Sequence, residues 1–136
     1  MRRHVILATL AAALAFAPAA MSTGARAPVI TIKTSAFGRV LAAPNHLALY
    51  YWTPEKRDHR IHCTGACLKA WPALVVRSAK AVPKHLRGAS GTFGTIRRPD
   101  GRLQVTYNRL PLYTYRGDPP NRPLCNGVDG WFVVRA

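Results

Sequence analysis

Hydrophobic and polar positions alternate along this chain in short runs, a pattern typical of β-strands. The runs cover residues 29–33, 39–43, 47–53, 73–77, 92–97, 102–107, 110–116 and 131–135. Gly, Pro and Asn lie between several of them, where tight turns are expected. Residues 63–72 are richer in Ala, Leu and Lys and predict a short helix that Pro72 ends. The pattern therefore predicts a mostly β fold with about eight short strands and one short helix.

Two of these segments resemble each other. Residues 38–55 (GRVLAAPNHLALYYWTPE) pair without a gap with residues 101–118 (GRLQVTYNRLPLYTYRGD). The identities are Gly38/Gly101, Arg39/Arg102, Asn45/Asn108, Leu47/Leu110, Leu49/Leu112 and Tyr50/Tyr113. Their offset of 63 residues is longer than the repeats of roughly 20–50 residues that stack into solenoids. We therefore expect a single domain, residues 28–136, made of two related β-hairpin repeats with pseudo-twofold symmetry.

Alternation within the repeats indicates where their strands lie. Leu47 and Leu49 face one side of the strand, and Tyr50 and Trp52 face the other. The second repeat has the same arrangement in Leu110, Leu112, Tyr113 and Tyr115. Because both sides are apolar, these strands are expected in the centre of the domain, with their aromatic rings in core packing rather than on a ligand-binding surface.

The N-terminus has the features of a secretory signal peptide over residues 1–27. Arg2 and Arg3 precede an apolar, Ala-rich run over residues 5–20. This run is short for a bilayer span of roughly 20 residues, and small residues predict cleavage after residue 19 or residue 27. We expect a periplasmic or secreted mature chain without a transmembrane span. No Cys precedes residue 63, so a lipid anchor on an N-terminal Cys is not expected.

The charge of the chain favours anionic partners. Its formal net charge is +15 at pH 7, from 20 Lys and Arg against 5 Asp and Glu, and about +12 without residues 1–27. In the bacterial envelope the expected partners are lipid head groups and lipopolysaccharide, whereas solubility alone is the alternative. The basic stretches are not interleaved with aromatic residues, so specific nucleic-acid binding is not expected.

The cysteines allow two interpretations. Cys63 and Cys67 are four residues apart, close enough in a helical turn for a disulfide that an oxidising compartment favours. Cys125 is left over, and its pairing with Cys63 or Cys67 stays open. Alternatively, His59, His62, Cys63 and Cys67 offer two imidazoles and two thiolates to copper or zinc, which would make this an envelope metal-handling protein.

Few residues point to catalysis. Glu55 and Asp118 follow the two aromatic strands at the same spacing, and a pair of catalytic carboxylates is one interpretation. Turn carboxylates that bind loop amides are the favoured one. The chain has no Gly-x-Ser-x-Gly motif and no phosphate-binding Gly loop. We therefore predict no enzymatic activity and no cofactor.

Four segments resemble, in this order, a bacterial family described as a secreted repeat of unknown function: LYYWTPE, CTGACLKAWPAL, VTYNRLPLYTYRGD and NGVDGWFVV. Members are also described as predicted lipoproteins with a Tyr-x-aromatic-x-x-Asp motif. The second repeat has this motif intact as Tyr113, Tyr115 and Asp118. In the first repeat Tyr50 and Trp52 match it, whereas Glu55 replaces Asp. The resemblance covers about residues 29–135 and implies no established activity. With no catalytic constellation in the sequence, we expect an uncharacterised exported envelope protein that binds or scaffolds.

Overall fold

The computed structural model describes residues 26–136, so nearly all of the expected signal peptide lies outside the described residues. Within them, the strands are β1 (Ile30–Thr34), β2 (Gly38–Ala42), β3 (Tyr50–Trp52), β4 (Val75–Val76), β5 (Phe93–Arg97), β6 (Leu103–Tyr107), β7 (Leu110–Pro111) and β8 (Trp131–Val133). A short helix, α1, covers Cys67–Ala70, and 3-10 turns cover Thr53–Lys56 and Ala79–Ala81. The predicted mostly β fold, with short strands and one short helix, is confirmed.

All strand pairs are antiparallel. β1 pairs with β2, β3 pairs with β8, and β6 lies between β4 and β5 and also pairs with β7. Tyr50 and Tyr113 connect these sheets by exchanging backbone hydrogen bonds of 2.8 and 3.0 Å. The two aromatic segments therefore lie side by side in the middle of the domain, as their apolar faces predicted.

The turn after β2 and the turn after β6 differ in length. Between β6 and β7, Asn108 and Arg109 form a two-residue turn with φ values of 49° and 67°, the left-handed conformation that such turns require. After β2 the Ala43 amide bonds to the Leu47 carbonyl, which leaves three residues in the turn. The gap-free pairing of residues 38–43 with 101–106 is therefore displaced by one residue. By hydrogen-bond register Leu41, bonded to Leu49, matches Val105, bonded to Leu112.

The buried side chains form two clusters on either side of the central strands. Leu49 and Leu112 belong to the first cluster, whereas Tyr50 and Tyr113 belong to the second. This division confirms the facing predicted from alternation. The connector of residues 78–91 packs Val82, Leu86 and Ala89 against the first cluster, so it covers part of the core.

Several strands are shorter than the pattern predicts. Residues 110–116 contain only the two-residue strand β7. The chain beyond β7 bonds to the end of α1 and to the irregular residues that follow it, so it forms no longer strand. There the amide of Thr114 bonds to the carbonyl of Pro72, and the amide of Arg116 bonds to that of Ala70. Alternation shows which residues are extended but not which partner they meet. No helix within residues 26–136 is long and apolar enough to cross a bilayer.

Candidate functional site

Two buried tyrosine–carboxylate pairs join residues 38–55 to residues 101–118, the two segments that we call the repeat cores for their similar sequences. The Tyr50 hydroxyl donates to Asp118 Oδ2 at 2.7 Å, and the Tyr113 hydroxyl donates to Glu55 Oε1 at 2.8 Å. Tyr50, Tyr113 and Glu55 are 0% exposed, and Asp118 is 7% exposed. Each tyrosine thus bonds to the carboxylate that follows the other tyrosine along the chain.

The same carboxylates hold the loops that follow them. Glu55 Oε1 also accepts hydrogen bonds from the amides of His62, at 2.8 Å, and Cys63, at 3.2 Å. Asp118 Oδ1 accepts from the amide of Leu124 at 2.9 Å. This is the loop-amide binding that the sequence favours for these two residues.

Burial keeps both tyrosines protonated. It raises the pKa of Tyr50 and of Tyr113 well above the usual value, and the neighbouring carboxylates add to this effect. Burial also raises the pKa of Asp118, against the hydrogen bonds from Tyr50 and Leu124 that lower it. These groups act as fixed donors and acceptors that hold the domain together.

A buried arginine extends this network and was missed by sequence reasoning. Arg98 is 2% exposed, although it belongs to a basic stretch that predicts a solvent-exposed cation. One guanidinium nitrogen donates to Gln104 Oε1, and the other donates to the Cys63 carbonyl at 2.8 Å. Gln104 in turn donates to the Leu112 carbonyl at 2.8 Å. The sequence gives one signal for this burial: Arg98 directly follows strand β5 and precedes a turn.

Cys63 and Cys67 form the predicted disulfide. Their Cα atoms are 5.3 Å apart, within the usual range for such bonds. Cys125 is a free, half-buried thiol, so its alternative pairing with Cys63 or Cys67 is not found. Its amide donates to the Tyr50 hydroxyl at 3.4 Å, and its thiol beside Tyr115 raises the pKa of that tyrosine.

The residues of the metal interpretation do not come together as a metal site. The disulfide occupies both sulfurs. The ring of His62 lies 3.0 Å from Asp58 Oδ2 on the surface, where the Arg60 amide and then this ring lower the pKa of Asp58. In the part of the chain that the structure describes, no group of three or more His, Cys, Asp or Glu is placed to hold a metal ion.

Four aromatic rings form a continuous stack beside the tyrosine–carboxylate pairs. Trp131 stacks on Trp71 at 3.9 Å between ring centroids and on Trp52 at 5.3 Å. Trp71 also contacts Tyr115 at 4.8 Å. Trp131 is 3% exposed, whereas the other three rings are half-buried. Trp52 and Tyr115, two residues of the predicted aromatic core, thus lie at the ends of the stack.

The surface of the domain is strongly cationic. Of the eighteen Lys and Arg in residues 26–136, all but Arg98 are exposed. Two of the five carboxylates are buried in the tyrosine pairs, which leaves three exposed ones: Asp58, Asp100 and Asp129. A shallow surface groove carries Arg77, Arg97 and Arg102 around the exposed side chain of Val75. We call these three arginines the arginine surface.

Asp100 is the nearest carboxylate to this surface and is already engaged. It accepts two hydrogen bonds from the Arg102 guanidinium, at 2.8 and 3.1 Å. The arginine and its amide lower the pKa of Asp100 to about 2. Asp100 therefore stays ionised at neutral pH and offsets one of the three positive charges.

Comparison with known proteins bears on the second half of the chain. No curated protein and no solved structure gives a significant match. One family model matches a segment of the second half. This segment contains Tyr113, Tyr115 and Asp118, the intact copy of the motif, whereas residues 38–55 lie outside it. As the motifs predicted, residues 94–135 match the family model of the secreted repeat of unknown function.

Proposed function

We propose that this protein is an exported, non-enzymatic module of the bacterial envelope that binds anionic surfaces, namely lipid head groups and lipopolysaccharide. The observation that carries the proposal is the charge of the exposed side chains. Seventeen exposed Lys and Arg stand against three exposed carboxylates in residues 26–136. The signal-peptide pattern and the match to a secreted family support a place in the periplasm or outside the cell.

The fold contributes to this charge by burying two carboxylates. Glu55 and Asp118 bond to tyrosines and loop amides, so they do not offset the positive charge at the surface. A basic side chain near an anionic membrane contributes on the order of 1 kcal/mol to the free energy of membrane binding. Three or four of them acting together would give reversible association, which salt weakens by screening.

The proposal includes a two-repeat architecture for residues 28–136. The crossed bonds of Tyr50 to Asp118 and of Tyr113 to Glu55 support it, because exchange between equivalent residues is what a twofold axis produces. The parallel stack of Trp71 on Trp131 is consistent with the same axis. In this arrangement both halves contribute side chains to each of the two buried clusters.

Vesicle co-sedimentation tests the proposal. We expect the mature chain to bind vesicles that contain anionic lipid and to bind neutral phosphatidylcholine vesicles much more weakly. Raising the salt from about 20 to 150 mM is expected to reduce binding by about tenfold, because the screening length shrinks from about 20 to 8 Å. Binding that ignores both lipid charge and salt would show that the positive charge serves solubility alone.

A further inference from the structure

Strand β5 lies at an edge of its sheet, and part of its backbone has no partner. The amide of Phe93 points away from β6, because it bonds to the Lys84 carbonyl of the connector at 2.9 Å. Thr95 and Arg97 follow Phe93 in the alternation of an antiparallel strand, so their amides and carbonyls point outward as well. Within residues 26–136 no group of the chain hydrogen-bonds to these four backbone groups. The outer edge of β5 is therefore free to pair with another extended chain.

Two adjoining grooves run along this strand. The first has a volume of about 340 Å³ and is lined by loop residues 58–60 and by the middle of β5. The second has a volume of about 470 Å³ and is lined by residues 60–61 and by the end of β5. Because both are lined by Arg60 and Ile96, we treat them as one surface and call it the β5 groove.

The charge at the β5 groove is mostly positive. Arg60, Arg97 and Arg109 line it and have exposed side chains. Asp58 also lines it, but its carboxylate already accepts hydrogen bonds from the Arg60 amide and the His62 ring. A complementary ligand therefore carries acidic groups. A second copy of this chain is disfavoured, because it would bring its own arginines against these.

We propose that the β5 groove binds an extended, acidic segment of another protein, which joins the sheet as a strand beside β5. Hydrogen bonds to the backbone of Thr95 and Arg97 supply affinity, and the arginines select acidic side chains on the segment. The five residues of β5 present an edge of about 17 Å, at roughly 3.4 Å per residue, which suits a segment of about five residues. This site recognises a peptide backbone and goes beyond the surface association proposed above.

An NMR titration of the mature chain with three end-blocked hexapeptides tests the inference. The first peptide alternates Glu and Val, the second has Lys in place of Glu, and the third has Pro in place of Val. We expect saturable binding of the Glu-Val peptide, with shifts and slower hydrogen exchange of the Thr95 and Arg97 amides. The other two are expected to bind about tenfold more weakly, because one has the opposite charge and the other lacks backbone donors. Failure of the Glu-Val peptide to bind, or equal binding of either other peptide, would overturn the proposal.

A proline at the strand edge tests the backbone contact without changing any charge. Thr95→Pro removes an outward N–H, which edge strands tolerate, and is expected to weaken binding of the Glu-Val peptide about tenfold. Its binding to anionic vesicles is expected to stay unchanged. Undiminished peptide binding in a folded Thr95→Pro variant would contradict the site.

Thr31→Pro is the matched control on β1, the first strand. Thr31 pairs with Leu41, whose amide bonds to Val134, so the Thr31 amide also points outward. No residue of β1 lines the β5 groove. The Thr31→Pro variant is therefore expected to bind the Glu-Val peptide like the unchanged chain, and an equal loss in both proline variants would contradict a site at β5.

Charge reversal provides a test that does not depend on a proline variant. Arg60→Glu/Arg109→Glu is expected to weaken binding of the Glu-Val peptide about tenfold or more and to make the Lys-Val peptide the better ligand. Lys69→Glu/Arg122→Glu makes the same change of net charge outside the groove and is expected to keep the original preference. An unchanged preference in both variants would overturn the acidic partner. A dimer of the unchanged chain that Thr95→Pro dissociates would overturn it in favour of a second copy.

Discussion

Replacing Glu55 with Ala is expected to lower the free energy of unfolding by about 4 kcal/mol. The change removes the acceptor of three hydrogen bonds, which are buried for the Tyr113 hydroxyl and the Cys63 amide and part-buried for the His62 amide. A buried donor left without a partner costs about 1–3 kcal/mol. Urea unfolding of the mature chain, followed by tryptophan fluorescence, measures the loss.

Two further variants are matched controls for this prediction. Glu55→Gln keeps one side-chain oxygen as an acceptor and is expected to cost about half as much as Glu55→Ala. Asp58→Ala removes an exposed carboxylate from the same loop and is expected to change stability far less. A Glu55→Ala protein as stable as the Asp58→Ala protein would show that the crossed pairs do not hold the two repeat cores together.

Replacing Trp131 with Ala is expected to lower the free energy of unfolding by about 4 kcal/mol, a value typical of large buried aromatic residues. Trp131 is one of the two inner rings of the aromatic stack and also meets Tyr113 edge to face at 5.1 Å. Its loss leaves a cavity between Trp52 and Trp71. The same unfolding measurement, together with loss of the near-ultraviolet circular dichroism of the stacked rings, reports the effect.

Phe132→Ala is the control for Trp131→Ala. Phe132 is the next residue along β8, half-buried, and stacks on Tyr51 at 5.9 Å on the opposite face. Its removal is expected to cost no more than about 2 kcal/mol. Equal costs for the two variants would mean that the stack adds nothing beyond ordinary burial.

Alternation predicted the elements because it records burial on each face of a strand. Leu49 and Tyr50 lie in different clusters, as their neighbouring positions require. The lengths of the strands were predicted less well, because they depend on partners far away in the chain. Tyr50 bonds to the backbone of Tyr113 on one side and pairs with Val133 of β8 on the other. No local pattern encodes which distant segments lie on either side of it.

The sequence identified most residues of the site but not the hydrogen bonds between them. The family resemblance marked Tyr113 and Asp118 as motif residues, but it does not show that Tyr113 bonds to Glu55 and Asp118 to Tyr50. Arg98 is a stronger example, because its partner, the Cys63 carbonyl, is 35 residues away. Burial of a charged side chain depends on such a partner, so a basic stretch alone predicted exposure.

Charge reversal at the arginine surface tests most directly the claim that exposed positive charge binds the envelope. The variant is Arg77→Glu/Arg97→Glu/Arg102→Glu, and the measurement is its association constant for anionic vesicles at 150 mM salt, beside that of the unchanged chain. The account predicts a loss of about a hundredfold, with no change in the weak binding to neutral vesicles. A folded variant that binds anionic vesicles as tightly as the unchanged chain would contradict it.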